Sequence, residues 1–281
     1  MNSFQIRKEA RTALKGNWVN ALLVCLIMAS FAFIMGVIYD LSTMGIQNEL
    51  LDLLERQGAN QITDEVYLDL YQSLNAKLIL LNVFNILATI AGLLFGLANA
   101  NYFLRLAETN NGRFDVFTSY FKYVWRSFCL YLLMTVKICL WSLLLVIPGI
   151  IKSFSYSMAP YIKADNLDLS AAECIDRSKN MMKGQKGALF GLGFSFIGWI
   201  LLTALVYTAI TMVLRMVLGL TEVTTTRIQP SSITALSAML SIPLTAYIQT
   251  ATAKFYLALK VKLSPIEEQS STTDEKENVA E

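Results

Sequence analysis

The chain of 281 residues contains no histidine. That absence removes the commonest general base, the usual zinc ligand and the machinery of metal-dependent intramembrane proteases in one step. Carboxylates are missing from the interiors of the long apolar stretches. Proton-coupled transporters and intramembrane aspartyl proteases commonly depend on such a group, so neither class is favoured. The four cysteines, Cys25, Cys129, Cys139 and Cys174, show no C-x-x-C spacing and are expected to be structural. No nucleophile with a neighbouring base is recognisable. Catalytic residues, metal ligands and cofactors are each expected to be none, and the chain is expected not to be an enzyme.

What is present is grease: 55% of residues are hydrophobic and only 16% charged, too apolar a balance for a soluble fold of this length. The apolar residues fall into six stretches, near Trp18 to Tyr39, Leu78 to Tyr102, Phe128 to Ile147, Ile150 to Ala164, Ala188 to Leu214 and Ile233 to Ala253. A helix needs roughly 20 apolar residues to cross hydrocarbon, and in lipid only helices and closed barrels satisfy their own backbone. These stretches are too long for barrel strands. The expectation is an all-α polytopic membrane bundle of about six transmembrane helices, arranged as three hairpins with cytoplasmic amphipathic helices. Residues 1–263 form one membrane domain in this reading, and 264–281 an acidic, disordered cytoplasmic tail. Arg7, Lys8, Arg11 and Lys15 precede the first stretch as they would a signal peptide, but the run is too long and no A-x-A site follows, so it is taken as a retained anchor.

Lys and Arg gather on cytoplasmic loops. With the N-terminus inside, 17 of the 23 basic residues fall on the cytoplasmic side, and both termini come out cytoplasmic. The same count divides 128–164 into two spans meeting at Pro148-Gly149, because a single span would put the basic stretch Lys163 to Lys186 outside.

Two segments resemble each other. ARTALKGNWVNALL from Ala10 and SKNMMKGQKGALF from Ser178 both run from an amphipathic helix through Lys-Gly into an apolar stretch; SYFKYVWRSFCLYLL from Ser119 fits loosely. Between the first two spans, Leu50, Leu51 and Leu54 and then Val66, Tyr67, Leu70 and Tyr71 keep helical spacing, predicting two short helices broken around Gly58.

Lys137 is the one ionisable residue near a span centre, where an unpaired ammonium costs at least about 2.5 to 3.5 kcal/mol. It is either a site for an anion or lipid phosphate, or a side chain contacting backbone carbonyls or snorkelling. Lys179, Lys183 and Lys186 lie in a basic segment, 173–186, that suits anionic lipid or a partner protein. Polar stripes, Thr234, Ser237, Ser241, Thr245, Gln249 and Thr252 in the sixth span and Asn82, Asn85, Thr89 and Asn99 in the second, suit a lumen or helix packing equally. The ladder Ala88, Gly92, Gly96, Ala100 suits a close-packing seam.

WSLLLVIPGIIKSFSYSMAPYIKAD from Trp141, followed by SKNMMKGQK and LFGLGFSFIGW, resembles a bacterial multi-pass membrane family of unknown function. That family is distantly similar to the membrane domain of glycerophosphodiester phosphodiesterases. The resemblance runs from RKEARTALKGNW to KFYLALK and implies a helical membrane fold with no reaction to carry over. Where relatives tend to show His after the Lys-Gly pair, this chain has Gln185. The expected role is a non-enzymatic plasma-membrane scaffold, regulator or envelope-homeostasis component. Its partners would be the bilayer and its anionic lipids, with a membrane-protein partner or a second copy, and no nucleic acid. Transport of a small solute, ion or lipid through the bundle is the competing reading.

Overall fold

The computed structural model describes residues 2–59, 61–217 and 241–263. Among them the secondary structure is helical throughout, with no strand. The order is α1 (Ser3–Leu14), α2 (Trp18–Gly58), α3 (Asp64–Gly92), α4 (Gly96–Thr109), α5 (Phe114–Ser119), α6 (Val124–Leu144), α7 (Val146–Tyr156), α8 (Ala159–Asp165), α9 (Ala171–Met181), α10 (Lys186–Phe194) and α11 (Ile197–Val217). A last helix, α12, covers 241–263. Single 3₁₀ turns, Leu93–Phe95 and Tyr120–Tyr123, precede α4 and α6. Among the described residues, four helical stretches are long and apolar enough to cross a membrane: Trp18–Gly58, Asp64–Thr109, Phe114–Leu144 and Lys186–Ile210. The make-up is that of a membrane protein.

Two compact units emerge, each taken as far as its residues are described: Met1–Cys25, Leu93–Trp199 and Pro243–Glu281 in one, Leu26–Gly92 and Ile200–Ile242 in the other. In the second unit the break expected around Gly58 is present, α2 ending there and α3 starting at Asp64, but the helices on either side are continuous with the apolar stretches instead of separate and short. A helix of 41 residues is about 60 Å long, twice the roughly 30 Å of hydrocarbon, so part of α2 must project beyond it. Outside the apolar stretches Ile46, Leu53 and Leu74 are buried, with Leu50, Ile62 and Tyr67 packed on them. Glu49 pairs with Lys77 at 2.6 Å. Of the residues picked out by spacing, Leu51, Leu54, Val66, Leu70 and Tyr71 are exposed, because a two-helix hairpin has only one narrow seam to fill.

In the first unit, the turn expected at Pro148-Gly149 lies three residues earlier. α6 ends at Leu144, Leu145 is extended (φ −161°), and Pro148 occupies the first turn of α7, where a missing N–H costs nothing. Gly149 instead permits close approach of the two helices: a Cβ there would stand 2.1 Å from Ser142 Oγ and 2.9 Å from Ser142 Cα. The turn carries Leu143 to Ile147, five consecutive apolar residues each at least 68% exposed. Stretch 150–164, expected as one short span, is two helices: α7 stops at Tyr156, α8 starts at Ala159, and six of the seven residues of α8 are buried. At 11 residues α7 rises about 16 Å, short of a crossing.

Two interruptions in this unit are closed by serines from other helices. At the 3₁₀ turn before α4, the buried Ser127 hydroxyl donates to Leu93 O (2.9 Å) and accepts from Leu97 N (3.0 Å), the two groups a regular helix would join to each other. At the break between α7 and α8, Ser178 donates to Ser155 O (2.8 Å) and accepts from Met158 N (3.2 Å). The small-residue ladder serves packing where Gly96 meets the Tyr131 ring, 2.5 Å from where a Cβ would stand. An ordinary hydrogen bond between helices in lipid is worth about 0.6 kcal/mol. Removing either serine strands a buried donor and acceptor together, so Ser127→Ala and Ser178→Ala should each cost about 1–3 kcal/mol. Ser153→Ala is the control, since its hydroxyl bonds only Ile150 O in its own helix. Denaturant unfolding of detergent-solubilised protein checks this, with the control expected to unfold like wild type.

Candidate functional site

The basic surface is built by two short amphipathic helices. In α9, Ser170 is the N-cap: its hydroxyl accepts from Glu173 N (3.2 Å), and the Glu173 carboxylate accepts from Ser170 N (2.7 Å), a reciprocal capping box. Cys174, Ile175, Ser178 and Met182 are buried, which leaves Arg177, Lys179 and Lys183 on the exposed side together with the carboxylates Glu173 and Asp176. In α1, Asn2 caps the Phe4 N–H (3.0 Å), Ile6, Ala10, Ala13 and Leu14 are buried, and Lys8, Arg11 and Lys15 are exposed. Arg7 donates to Ser195 O (3.2 Å), the C-cap of α10, a favourable place for a cation. The Tyr247 hydroxyl of α12 donates to Arg7 O (3.1 Å).

Both helices leave by the same turn. Gly16 and Gly184 have φ of +85° and +70°, a left-handed conformation that glycine adopts without steric cost. Nothing lies within 4 Å of a Cβ at either, so the reason for glycine is the backbone angle and not lack of room. The bonds that close the two turns correspond, Asn17 N to Leu14 O (2.9 Å) and Gln185 N to Met182 O (3.2 Å).

Beside α9 lies a cleft of about 510 Å³ formed by α8, α9, α12 and the connection 166–170. Asp165, at the end of α8, accepts from the Tyr256 hydroxyl (3.0 Å) and pairs with Lys260, two side chains one turn apart on α12. Burial first, and then the Asp165 carboxylate, push the Tyr256 phenol well above its ordinary range, so it remains a donor. Tyr161 stacks on Tyr256 (5.7 Å between centroids) and donates to Gln249 Oε1 (3.4 Å). The connection is held from below by Lys163, 5% exposed, whose Nζ donates to Leu167 O (2.8 Å) and to Leu169 O. Arg126 donates to Leu167 O as well (3.0 Å). Arg177 and Asn180 line the other wall. Among the described residues Arg177 makes no hydrogen bond and no ion pair within 4.0 Å.

Lys179 and Lys183 are thus exposed and Lys186, the first residue of α10, is half-buried. Lys137 is half-buried on α6 and has no hydrogen bond or ion pair among the described residues. It hydrogen-bonds none of the other three. The polar stripes are largely spent on helix contacts: Asn82 accepts from Tyr39 (3.3 Å) and Thr252 donates to Ile248 O (2.9 Å), while Thr234 and Ser237 lie outside the described residues. Spacing along the chain passed over Asp165, Tyr256, Lys260 and the buried Lys163. The one local signal was Tyr256 and Lys260 at i, i+4, polar groups on one face just after an apolar stretch.

Burial, opposed by Lys163 and Arg177, pushes the Cys174 thiol up, which suits an inert structural cysteine. The Ser170 backbone N–H, and then its hydroxyl, hold the Glu173 carboxyl below its ordinary value. A carboxyl depressed in the folded state stabilises above its unfolded pKa, roughly 4.3, and loses that contribution as pH falls through the folded value. Hydrogen–deuterium exchange at 170–181 should therefore show the start of α9 loosening in acid, relative to pH 7, in wild type; Glu173→Gln should be looser at pH 7 and show little further change.

Residues 142–262 match a family model described as "Protein of unknown function (DUF975)". This supports the resemblance to an uncharacterised family, whereas no match links the chain to the membrane domain of glycerophosphodiester phosphodiesterases. No curated protein and no solved structure matches the chain.

Proposed function

We propose that the chain is a non-enzymatic, multi-pass plasma-membrane protein that serves as a scaffold, regulator or envelope-homeostasis component by engaging anionic lipid with its basic helices. The observation that carries this is the paired arrangement of α1 and α9. Each buries one face, exposes Lys or Arg on the other, and passes through a Lys-Gly left-handed turn directly into an apolar helix. The switch from charged to apolar within a few residues is what a membrane boundary demands, with aromatic and basic side chains at the head-group level. Each Lys or Arg near an anionic surface contributes about 1 kcal/mol, so Lys8, Arg11, Lys15, Lys179 and Lys183 together outweigh the roughly 0.2–0.5 kcal/mol of a helical ion pair. Six spans in three hairpins, the fourth made by α7 and α8 in series, with both termini cytoplasmic, remain our reading of the charge asymmetry.

Replacing Lys179, Lys183 and Lys186 together with Gln should reduce the enrichment of phosphatidylglycerol around the full-length protein in mixed-lipid nanodiscs, most strongly at low salt. Equal enrichment in wild type and variant would count against lipid engagement by α9. Reporter fusions test the topology separately: fluorescent protein should light up at either terminus, and alkaline phosphatase activity at either would overturn it.

A further inference from the structure

We propose that the cleft between α8, α9 and α12 binds a phosphoryl group carried on an apolar chain or a small polyol. The argument begins with charge. Asp165 is already engaged by Lys260 and Tyr256, so the carboxylate on the cleft floor is compensated and does not repel an incoming anion. Arg177, which feels the Glu173 carboxylate one turn away, then supplies a guanidinium that makes no hydrogen bond and no ion pair within 4.0 Å among the described residues. Its planar fork matches two phosphoryl oxygens at once, which a lysine cannot do. The Asn180 amide, on the penultimate residue of the same helix, adds a neutral donor, and the Lys260 ammonium has protons beyond the one given to Asp165.

Shape points the same way. A volume of about 510 Å³ exceeds what a bare phosphate fills. The remainder of the lining includes Leu169, Met181 and Leu263, an apolar flank beside the charged end. The wall is fixed before any ligand arrives, because Lys163 and Arg126 hold the carbonyls of the 166–170 connection. A preorganised wall lowers the ordering cost of binding. Lys179, Lys183 and Lys186 line no part of this cleft, so the site stands or falls apart from lipid engagement by the outer face of α9.

The test uses full-length protein in neutral detergent and reads saturable thermal stabilisation by three probes: dihexanoyl phosphatidic acid, glycerol 3-phosphate, and dihexanoylglycerol as the same chain without phosphate. At least one phosphoryl probe should bind, and dihexanoylglycerol should bind at least about tenfold more weakly, as loss of a charge-assisted contact implies. Arg177→Gln should weaken the phosphoryl probe about tenfold or more, Arg177→Lys should restore part of the loss, and Lys179→Gln should leave it unchanged. Arg177 is exposed and makes no hydrogen bond or ion pair within 4.0 Å among the described residues, so its replacement leaves folding intact, and the unliganded melting temperature verifies this. Preference for phosphatidic acid identifies a membrane lipid as the source, and preference for glycerol 3-phosphate a soluble ester; both support the site. Three results overturn it: no saturable binding of either phosphoryl probe, dihexanoylglycerol binding as tightly, or Arg177→Gln binding as wild type does.

Discussion

Backbone polar groups buried away from water must find partners, and this one constraint shapes the first unit at two interruptions, Leu93–Phe95 and Ser157-Met158. An unbroken helix meets the requirement internally; an interrupted one does not. At both interruptions a serine hydroxyl, from α6 in one case and α9 in the other, donates to the carbonyl on one side of the gap and accepts from the N–H on the other. A hydroxyl is the smallest side-chain group that can do both at once. The breaks are therefore tertiary features: the chain can turn at Leu93–Phe95 and at Ser157-Met158 because another helix is docked there. Kinks of this type arise when a side chain enters the hydrogen-bond ladder; no proline stands at the first break, and at the second Pro160, in the first turn of α8, also lacks the N–H that would reach Tyr156 O.

The same dependence explains why α8 exists. Seven residues are too few to form a stable helix in isolation, yet six of the seven are buried against their neighbours. Burial of Lys163 within it is the costly part, since no carboxylate lies within ion-pair distance of it among the described residues. Its Nζ instead serves two carbonyls of the following connection, and the connection delivers Ser170 to the N-terminus of α9. One buried cation thus helps set the start of the helix that exposes Arg177, Lys179 and, just past its end, Lys183.

Membrane character was legible because it rests on sums over many residues: 55% hydrophobic composition and apolar runs survive any error in a single position. The Lys-Gly turns were legible for a different reason. A positive φ selects glycine so strongly that two occurrences in like surroundings mark the same backbone event, and Gly16 and Gly184 share it. What failed was everything decided by partners distant in sequence. Ser127 and Ser178 look like any small polar residue near an apolar run, and nothing local separates Leu53, buried in the α2–α3 seam, from its exposed neighbours Leu51 and Leu54. Pro148 was misjudged as a turn because proline can start a helix as well as end one.

Lys137 and Asp165 show how the cost of burial separates a signal from its apparent copy. Both are ionisable residues next to apolar sequence, and only Lys137 stood out by position along the chain. Lys137 is half-buried and bonded to nothing among the described residues, and a long aliphatic stem is able to carry such a charge toward a polar boundary. A carboxylate has no such reach. Asp165 must be met where it stands, and the fold meets it twice, with the Tyr256 hydroxyl and with Lys260. Short side chains that cannot escape force structure to form around them, and for that reason the pre-shaped cleft lies at Asp165 and not at Lys137.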